Sequence, residues 1–215
     1  MSYPILYSFK RCPYAMRARM ALHLAEIKCE IREIRLSNKP EQMLEVSPKG
    51  TVPILILEDK VIDESYDIVN WVIEESNIFD GNLDSDQIDL TESLIKKFDD
   101  EFKHHLDRYK YATRYENTDS DFHRAECLKI LVDLEAIASS GKWIFGENLN
   151  KLDISILPFI RQFRIANPEW FDSLEEISRI KKILNNYLDS EEFKKIMFNY
   201  DEWELGAKPV YFPST

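Results

Sequence analysis

The sequence has 215 residues, of which 44% are hydrophobic and 31% charged, a composition typical of a globular protein with one large or two small domains. Its formal net charge of −11 argues against a general nucleic-acid binder and against a protein that binds anionic membranes, because contacts to phosphate depend on lysine and arginine. Its cysteines, Cys12, Cys29 and Cys127, are odd in number and widely spaced, which indicates neither a disulfide framework nor a metal site.

The first part of the chain alternates strand and helix patterns. In chain order, the predicted elements are a strand over residues 3–9, a helix over 13–26, a strand over 29–36, a short helix opened by Pro40, a strand over 51–57, a returning strand at Val61 and Ile62, and a helix that Ser65 can cap. The order β-α-β-α-β-β-α predicts an α/β sheet of four strands with one antiparallel part.

The rest of the chain is helical by periodicity. Residues 77–86 are polar and form the predicted linker between two domains, residues 1–78 and residues 86–215. The predicted helices after the linker cover residues 86–113, 119–139, 151–166, 173–187 and 190–198. The tail over residues 201–215 is rich in proline and aromatic side chains, and we expect it to pack as an extended cover. The fold class predicted from these patterns is therefore an α/β domain followed by an all-α domain.

The most informative residue in the first domain is Cys12, at the junction of the first strand and the first helix. Pro13 stands at or near the first helical position, where the missing N–H group costs little. The unpaired amides and the positive end of the helix dipole favour a thiolate at Cys12, and Lys10 and Arg11 add positive charge nearby. The pattern indicates a site for sulfur chemistry, which several redox and protease scaffolds could share.

The tetrapeptide Cys12-Pro13-Tyr14-Ala15, followed by Arg17 and Arg19, resembles the omega-like, cysteine-type bacterial group of the glutathione S-transferase superfamily. The resemblance covers nearly the whole chain and implies an N-terminal thioredoxin-like domain with a helical domain that completes the co-substrate pocket. In the helical domain, the segment from Asn150 to Asp153 is similar to the N-capping box of that superfamily. Because Arg17 and Arg19 are two residues apart on a helix, at most one of them is expected to face the site.

The same resemblance implies a set of glutathione-binding residues around Cys12. Val52 and Pro53 match the segment in which a cis-proline turns the backbone of the preceding residue toward the cysteinyl amide of glutathione. Glu64 and Ser65 match the acidic-Ser turn that binds the γ-glutamyl end, and Lys39 stands where a lysine often reaches the glycyl carboxylate. In each case a purely structural role, such as a helix cap or a solvated loop lysine, stays open.

The expected activity is a glutathione-dependent transferase in which Cys12 is the nucleophile. Thiol transfer, meaning the reduction of glutathione mixed disulfides, is the first hypothesis, and Ala15 restricts it to a single-cysteine cycle because a resolving cysteine would stand there. The alternatives are a non-catalytic binding or regulatory protein on the same fold and a transferase that conjugates glutathione to a small electrophile or acts on one dedicated metabolite. The sequence does not identify the second substrate.

Further expectations concern metal, partners and compartment. His104 and His105 are adjacent, and such pairs usually split between helix faces, so we expect solvent or core roles and no bound metal. The resemblance implies a homodimer. Since the sequence shows neither a signal-peptide pattern nor an apolar run of bilayer length, a cytoplasmic protein is expected, with no nucleic-acid or membrane partner.

Overall fold

The structure is a computed structural model that describes residues 3–213, so residues 214 and 215 at the end of the predicted tail lie outside it. The described residues form two compact units. The N-terminal unit contains the residues up to Ile78 and those from Ser190 onward, whereas the helical unit spans Phe79–Asp189. The segment from Ser190 onward, which the predicted boundaries assigned to the helical domain, therefore groups with the N-terminal unit.

The N-terminal unit is built around one mixed sheet. Its elements are β1 (Ile5–Ser8), α1 (Pro13–Leu24), β2 (Cys29–Glu33), α2 (Glu41–Val46), β3 (Ile54–Ile56), β4 (Val61–Ile62), α3 (Ser65–Ser76), α10 (Glu191–Ile196) and β5 (Tyr211–Phe212). Within residues 3–213 the strands follow the order β4-β3-β1-β2-β5, in which β1 and β2 are parallel and the other pairs are antiparallel. The predicted thioredoxin-like arrangement of this domain is confirmed.

The core of this unit lies between the sheet and its helices. Leu6 and Tyr7 of β1 and Ile54 and Leu55 of β3 are fully buried, as expected for central strands covered by helices. Helix α1 packs against α3 and α10. The central position of β1 fixes the loop that follows it, and Cys12 lies at the end of that loop.

The fifth strand corrects the predicted four-stranded sheet. The tail returns to the sheet edge, where β5 pairs antiparallel with β2 and aligns Phe212 with Cys29. Farther up the tail, the Trp203 backbone N–H donates to the Glu33 carbonyl oxygen over 2.8 Å. The tail is thus partly a strand of the N-terminal unit, and it covers the edge that β2 would otherwise expose.

The helical unit contains the remaining helices, all from one continuous stretch of chain. They are α4 (Ser85–Lys97), α5 (Lys103–Lys110), α6 (Ser120–Ile137), α7 (Lys151–Ala166), α8 (Pro168–Ser173) and α9 (Ser178–Asp189). A π-helical turn at Phe98–Phe102 joins α4 to α5, so the predicted helix over residues 86–113 is one helical path with a widened turn. The predicted all-helical fold of this part of the chain is confirmed.

The predicted helix over residues 173–187 is wrong in its bounds. Helix α8 occupies Pro168–Ser173, and a new helix begins only at Ser178. Asn167 explains the earlier start, because its side chain accepts a hydrogen bond from the Trp170 backbone N–H over 3.1 Å while Pro168 takes the first helical position.

The capping box of α7 is present as the sequence predicts. The Asn150 side chain accepts from the backbone N–H groups of Leu152 and Asp153, and the Asp153 carboxylate accepts from the Asn150 N–H over 3.0 Å. The other Asp153 oxygen accepts from the Ile144 N–H over 3.0 Å, so one buried carboxylate joins the helix start to the preceding loop. No helix within residues 3–213 combines the length and apolarity that a membrane crossing requires.

Candidate functional site

Cys12 lies at the N-cap of α1, with Pro13 as the first helical residue. Its backbone N–H donates to the Phe9 carbonyl over 3.0 Å, and its carbonyl accepts from the Met16 N–H over 2.9 Å. The extended backbone of Cys12 and the helical backbone that follows direct the first-turn amides of α1 toward the thiol end of the helix. The side chain is half-buried, so the thiol is anchored but can be reached.

The structure brings Cys12 next to the predicted cis-proline segment. The peptide bond between Val52 and Pro53 is cis. Cys12 Sγ lies 3.6 Å from the Val52 carbonyl oxygen and donates a hydrogen bond to it. Strand β3 begins at Ile54, so Val52 lies just before the ladder while remaining buried. The thiol and this stretch of backbone therefore form one wall of the candidate site.

Arg17 connects the helix of Cys12 to the predicted acidic-Ser turn. Its guanidinium is fully buried and donates to Ser65 Oγ over 3.2 Å, and it also lies over the Tyr14 ring. Ser65 is the first residue of α3, and Glu64 occupies the N-cap, so the prediction that Ser65 caps this helix is wrong. Because its hydroxyl accepts from Arg17, Ser65 is held in place from within the unit.

The acidic residues before α3 are paired with a lysine from the preceding turn. Lys49 Nζ lies 2.7 Å from Glu64 and 3.0 Å from Asp63. Ser47 Oγ donates to Asp63 over 2.7 Å. The hydrogen bonds from Ser47 and Lys49 lower the pKa of Asp63, and those to Glu64 and Asp63 raise the pKa of Lys49. Glu64 is exposed, so its carboxylate can exchange this partner for a cationic group of a ligand.

Lys39 lies on the exposed turn before α2, beside Gly50. A methyl group placed on Gly50 would come within 3.3 Å of Lys39 Nζ, and the positive φ of Gly50 at +61° also favours glycine there. Lys39 thus lies close to the turn that carries Lys49. The structure brings Cys12 against Val52 and Pro53, and it brings Ser65 to the same helix through Arg17.

A buried ion pair holds the loop before Cys12, and the sequence reasoning missed it. Arg19 donates to the Lys10 carbonyl over 2.7 Å and lies 3.6 Å from the Glu33 carboxylate. That carboxylate also accepts a hydrogen bond from the Lys10 backbone N–H. Burial raises the pKa of Glu33, and the charges of Arg19 and Lys10 oppose the rise. Both peptide groups of Lys10 are therefore fixed, two residues before the thiol.

A signal for this network does exist in the sequence. Along the predicted strand over residues 29–36, the apolar side chains occupy odd positions at Cys29 and Ile31 and even positions at Ile34 and Leu36. The change of phase falls at Glu33, which consequently lies on the buried face. An acidic residue at such a position requires a cationic partner, and Arg19 in the adjacent helix supplies it.

The tail residue Trp203 has a structural position in the N-terminal unit. The Arg32 guanidinium lies 4.5 Å from the centroid of the Trp203 ring and donates to the Tyr7 hydroxyl over 2.8 Å. Tyr7 and Trp203 also contact each other edge to face. The aromatic residue of the tail thus covers the sheet between β1 and β2.

Comparisons with known proteins identify the family. A family model described as glutathione S-transferase, N-terminal domain, matches residues 6–78. The probable glutathione S-transferase parC of Nicotiana tabacum is 30% identical over 165 residues, which are 74% of this chain and 72% of that protein. The chain belongs to the glutathione S-transferase family.

Solved structures of other glutathione S-transferases share the fold. Glutathione transferase Omega 1C from Trametes versicolor superposes with a TM-score of 0.74 at 21% identity, over 94% of this chain and 92% of that one. A glutathione transferase family member from Pseudomonas fluorescens, crystallised with two glutathione bound, has a TM-score of 0.78 at 17% identity, over 91% of this chain and 92% of that one.

The other two cysteines of this glutathione S-transferase family member are buried in its two units. Cys29 lies in β2, where burial raises the pKa of its thiol to about 12. Burial also raises the pKa of Cys127, which lies in α6 and donates to the Phe102 carbonyl over 3.7 Å. Both thiols stay protonated at neutral pH, so Cys12 differs from them in exposure as well as in position.

Proposed function

We propose that this family member is an omega-like, glutathione-dependent thiol transferase with Cys12 as its nucleophile. The observation that carries the proposal is the position of Cys12 Sγ, 3.6 Å from the Val52 carbonyl at a helix N-terminus and reachable from outside. Glutathione held by the backbone of Val52 would bring its own sulfur to this thiol. Ala15 stands three residues after Cys12, at the position of the second cysteine of a CxxC motif, so a CxxC disulfide cannot form.

The proposed glutathione site uses five residues besides Cys12. Val52 pairs through its backbone with the cysteinyl amide of glutathione, next to Pro53. Glu64 receives the ammonium of the γ-glutamyl end, and Ser65 with the first amides of α3 receives its carboxylate. Lys39 reaches the glycyl carboxylate. Two contacts support this assignment: Arg17 holds the Ser65 hydroxyl, and the exposed Glu64 already pairs with an ammonium group, that of Lys49.

The proposed cycle has two thiol–disulfide exchanges. The Cys12 thiolate attacks the glutathionyl sulfur of a mixed disulfide, which forms the Cys12–glutathione disulfide and releases the partner as a thiolate. A glutathione thiolate then attacks the glutathionyl sulfur on Cys12, releases the Cys12 thiolate and leaves as glutathione disulfide. Each cycle thus converts one mixed disulfide and one glutathione into one free thiol and one glutathione disulfide, and the enzyme returns to its starting state.

A kinetic comparison of single-cysteine variants tests the proposal. Reduction of a glutathionylated small disulfide by glutathione is measured for the wild type, for Cys12→Ser and for the matched control Cys127→Ala. We expect Cys12→Ser to lose the activity and Cys127→Ala to retain it. Equal activity of wild type and Cys12→Ser would overturn the mechanism. If the wild type and Cys12→Ser both bind glutathione but are both inactive, a binding protein would be favoured. If both turn over an aryl halide, conjugation would be favoured.

The proposal includes the assembly and compartment expected from the family resemblance, a homodimer in the cytoplasm. Light scattering coupled to size-exclusion chromatography measures the mass of the assembly directly. We expect a mass of twice 25.4 kDa at micromolar concentration. A mass equal to that of one chain would contradict the dimer without affecting the proposed chemistry of Cys12.

A further inference from the structure

Three of the chain's four histidines meet at one place in the helical unit. His104 and His105 belong to α5, and His123 belongs to the first turn of α6. His105 Nδ1 lies 2.7 Å from His123 Nδ1, and the ring centroids of His104 lie 5.1 Å from His105 and 5.9 Å from His123. The expectation that His104 and His105 have solvent or core roles does not anticipate this cluster, because His123 is distant in sequence.

The distances within this cluster match what a shared metal ion needs. One ring nitrogen from each histidine lies within 4.8 Å of the others. Zinc binds imidazole nitrogen at about 2.0–2.1 Å, so ligands of one tetrahedral ion lie roughly 3.3 Å apart. Rotation about the side-chain bonds of the histidines would have to close the remaining difference. His104 is exposed and the other two are half-buried, so an ion can reach the cluster from solvent.

The charges and the burial around the cluster bear on cation binding in two opposite ways. Burial, and then the neighbouring histidines and Arg108, lower the pKa of His105, and burial lowers that of His123. Both shifts favour the neutral imidazole of these two side chains, the form that binds a metal. One feature opposes a cation. Arg108 lies 2.9 Å from His104 Nδ1, although its guanidinium can keep a second acceptor, the His104 carbonyl at 3.3 Å.

We propose that His104, His105 and His123 form a binding site for a divalent transition metal ion of the kind that prefers imidazole, such as Zn²⁺. Three imidazoles and an open position are a recognised ligand set for zinc, and copper and nickel accept the same donors. The site belongs to the helical unit and is independent of the thiol chemistry proposed for Cys12. An ion there would join α5 to α6 and would stabilise the helical unit by its binding free energy.

Calorimetric titration with Zn²⁺ tests the site on the 215-residue chain without a histidine tag. We expect one ion per chain for the wild type. His123→Gln and His104→Gln should each weaken binding by at least about tenfold, because even the loss of a residue that only supports a ligand costs that much. The matched control is His23→Gln, which changes the remaining histidine in the other unit and should leave Zn²⁺ binding unchanged.

A second variant keeps the test valid if a histidine substitution disturbs the fold. Arg108→Ala removes the opposing cation and the competing hydrogen bond, so it should tighten Zn²⁺ binding. Melting curves with and without Zn²⁺ should show stabilisation of the wild type that His104→Gln, the most exposed of the three, reduces. Weaker binding by Arg108→Ala, or an unchanged affinity in both histidine variants, would overturn the proposal.

Co²⁺ as a spectroscopic probe separates this site from binding by the thiol. Imidazole ligands give d–d absorption without a sulfur-to-metal charge-transfer band. We expect the wild type to show this spectrum before and after alkylation of Cys12. A charge-transfer band that disappears on alkylation would assign the ion to Cys12 and would contradict the three-histidine site. The thiol-transfer proposal is tested separately, by the kinetic comparison of the cysteine variants.

Discussion

The Arg17 guanidinium and the Ser65 hydroxyl meet in the interior of the N-terminal unit, where Arg17 donates to Ser65 Oγ across 3.2 Å. Arg17 belongs to the helix that starts beside Cys12, and Ser65 is the first residue of α3. This hydrogen bond therefore fixes the distance between the thiol end of one helix and the amide end of another. In the proposed function these ends hold the sulfur and the γ-glutamyl carboxylate of the same glutathione molecule.

The first prediction concerns this link. Ser65→Ala and Arg17→Lys should each raise the KM for glutathione on the order of tenfold, or ~1.4 kcal/mol, because each removes the hydrogen bond that positions the carboxylate site. The double variant should cost clearly less than the two single costs added, since both changes remove one interaction. Steady-state kinetics at varied glutathione concentration measure this coupling. Additive effects would show that Arg17 does not act through Ser65.

The second prediction concerns the buried pair behind the thiol loop. Arg19→Met should destabilise the protein by roughly 3–5 kcal/mol, because it leaves the Glu33 carboxylate buried without its cationic partner. Glu33→Gln should cost less, since an amide oxygen can still accept from the Lys10 N–H. Urea unfolding followed by circular dichroism gives both values. A larger cost for Glu33→Gln than for Arg19→Met would contradict this order.

The Arg17–Ser65 contact and the Arg19–Glu33 pair show which features could be predicted from the sequence and which could not. The helix start at Cys12 and Pro13 could be predicted because its signals lie within a few residues. The pairing of Cys29 with Phe212 could not, because it depends on a return of the chain from the far end of the sequence. The burial of Glu33 could be predicted in part. The change of phase is visible in the sequence of the strand, but only the fold shows which cation pairs with the carboxylate. The contact of His123 with His104 and His105 could not be predicted either, because it depends on how two separate helices pack.

The third prediction concerns the start of α7. Asn150→Ala should cost about 1 kcal/mol as the loss of a helix cap. Asp153→Ala should cost more, because it deprives the buried N–H groups of Ile144 and Asn150 of their acceptor, at roughly 1–3 kcal/mol for each. Denaturant unfolding of the two variants checks the order. Equal costs would mean that the carboxylate adds nothing beyond the cap.

The fourth prediction is a pH dependence that arises from the same carboxylate. Burial raises the pKa of Asp153 from 3.8 to about 7, against the two backbone hydrogen bonds that lower it. The folded state thus keeps a proton that the unfolded state releases, so the contribution to stability is complete below pH ~4 and is lost as the pH rises to about 7. The difference in unfolding free energy between wild type and Asp153→Asn should therefore shrink from pH 4 to pH 7. A constant difference would contradict the raised pKa.

The fifth prediction concerns the reactivity of the cysteines. In the folded protein iodoacetamide should label Cys12 with a midpoint below the ordinary thiol pKa of ~8.5, because the helix N-terminus favours the thiolate. Cys29 and Cys127 are buried and should react only after unfolding. Labelling of Cys12→Ser gives the background. A midpoint at or above ~8.5 would contradict the activation of the thiol by its position.

The most direct measurement of the central claim is intact-protein mass spectrometry after brief exposure to a glutathione mixed disulfide. The account predicts one glutathionyl group per chain, located on Cys12 by peptide mapping and removed by added glutathione. Cys127→Ala should gain the same adduct, and Cys12→Ser should gain none. An unmodified wild-type chain that nevertheless reduces the disulfide, or an adduct on Cys12→Ser, would contradict Cys12 as the nucleophile.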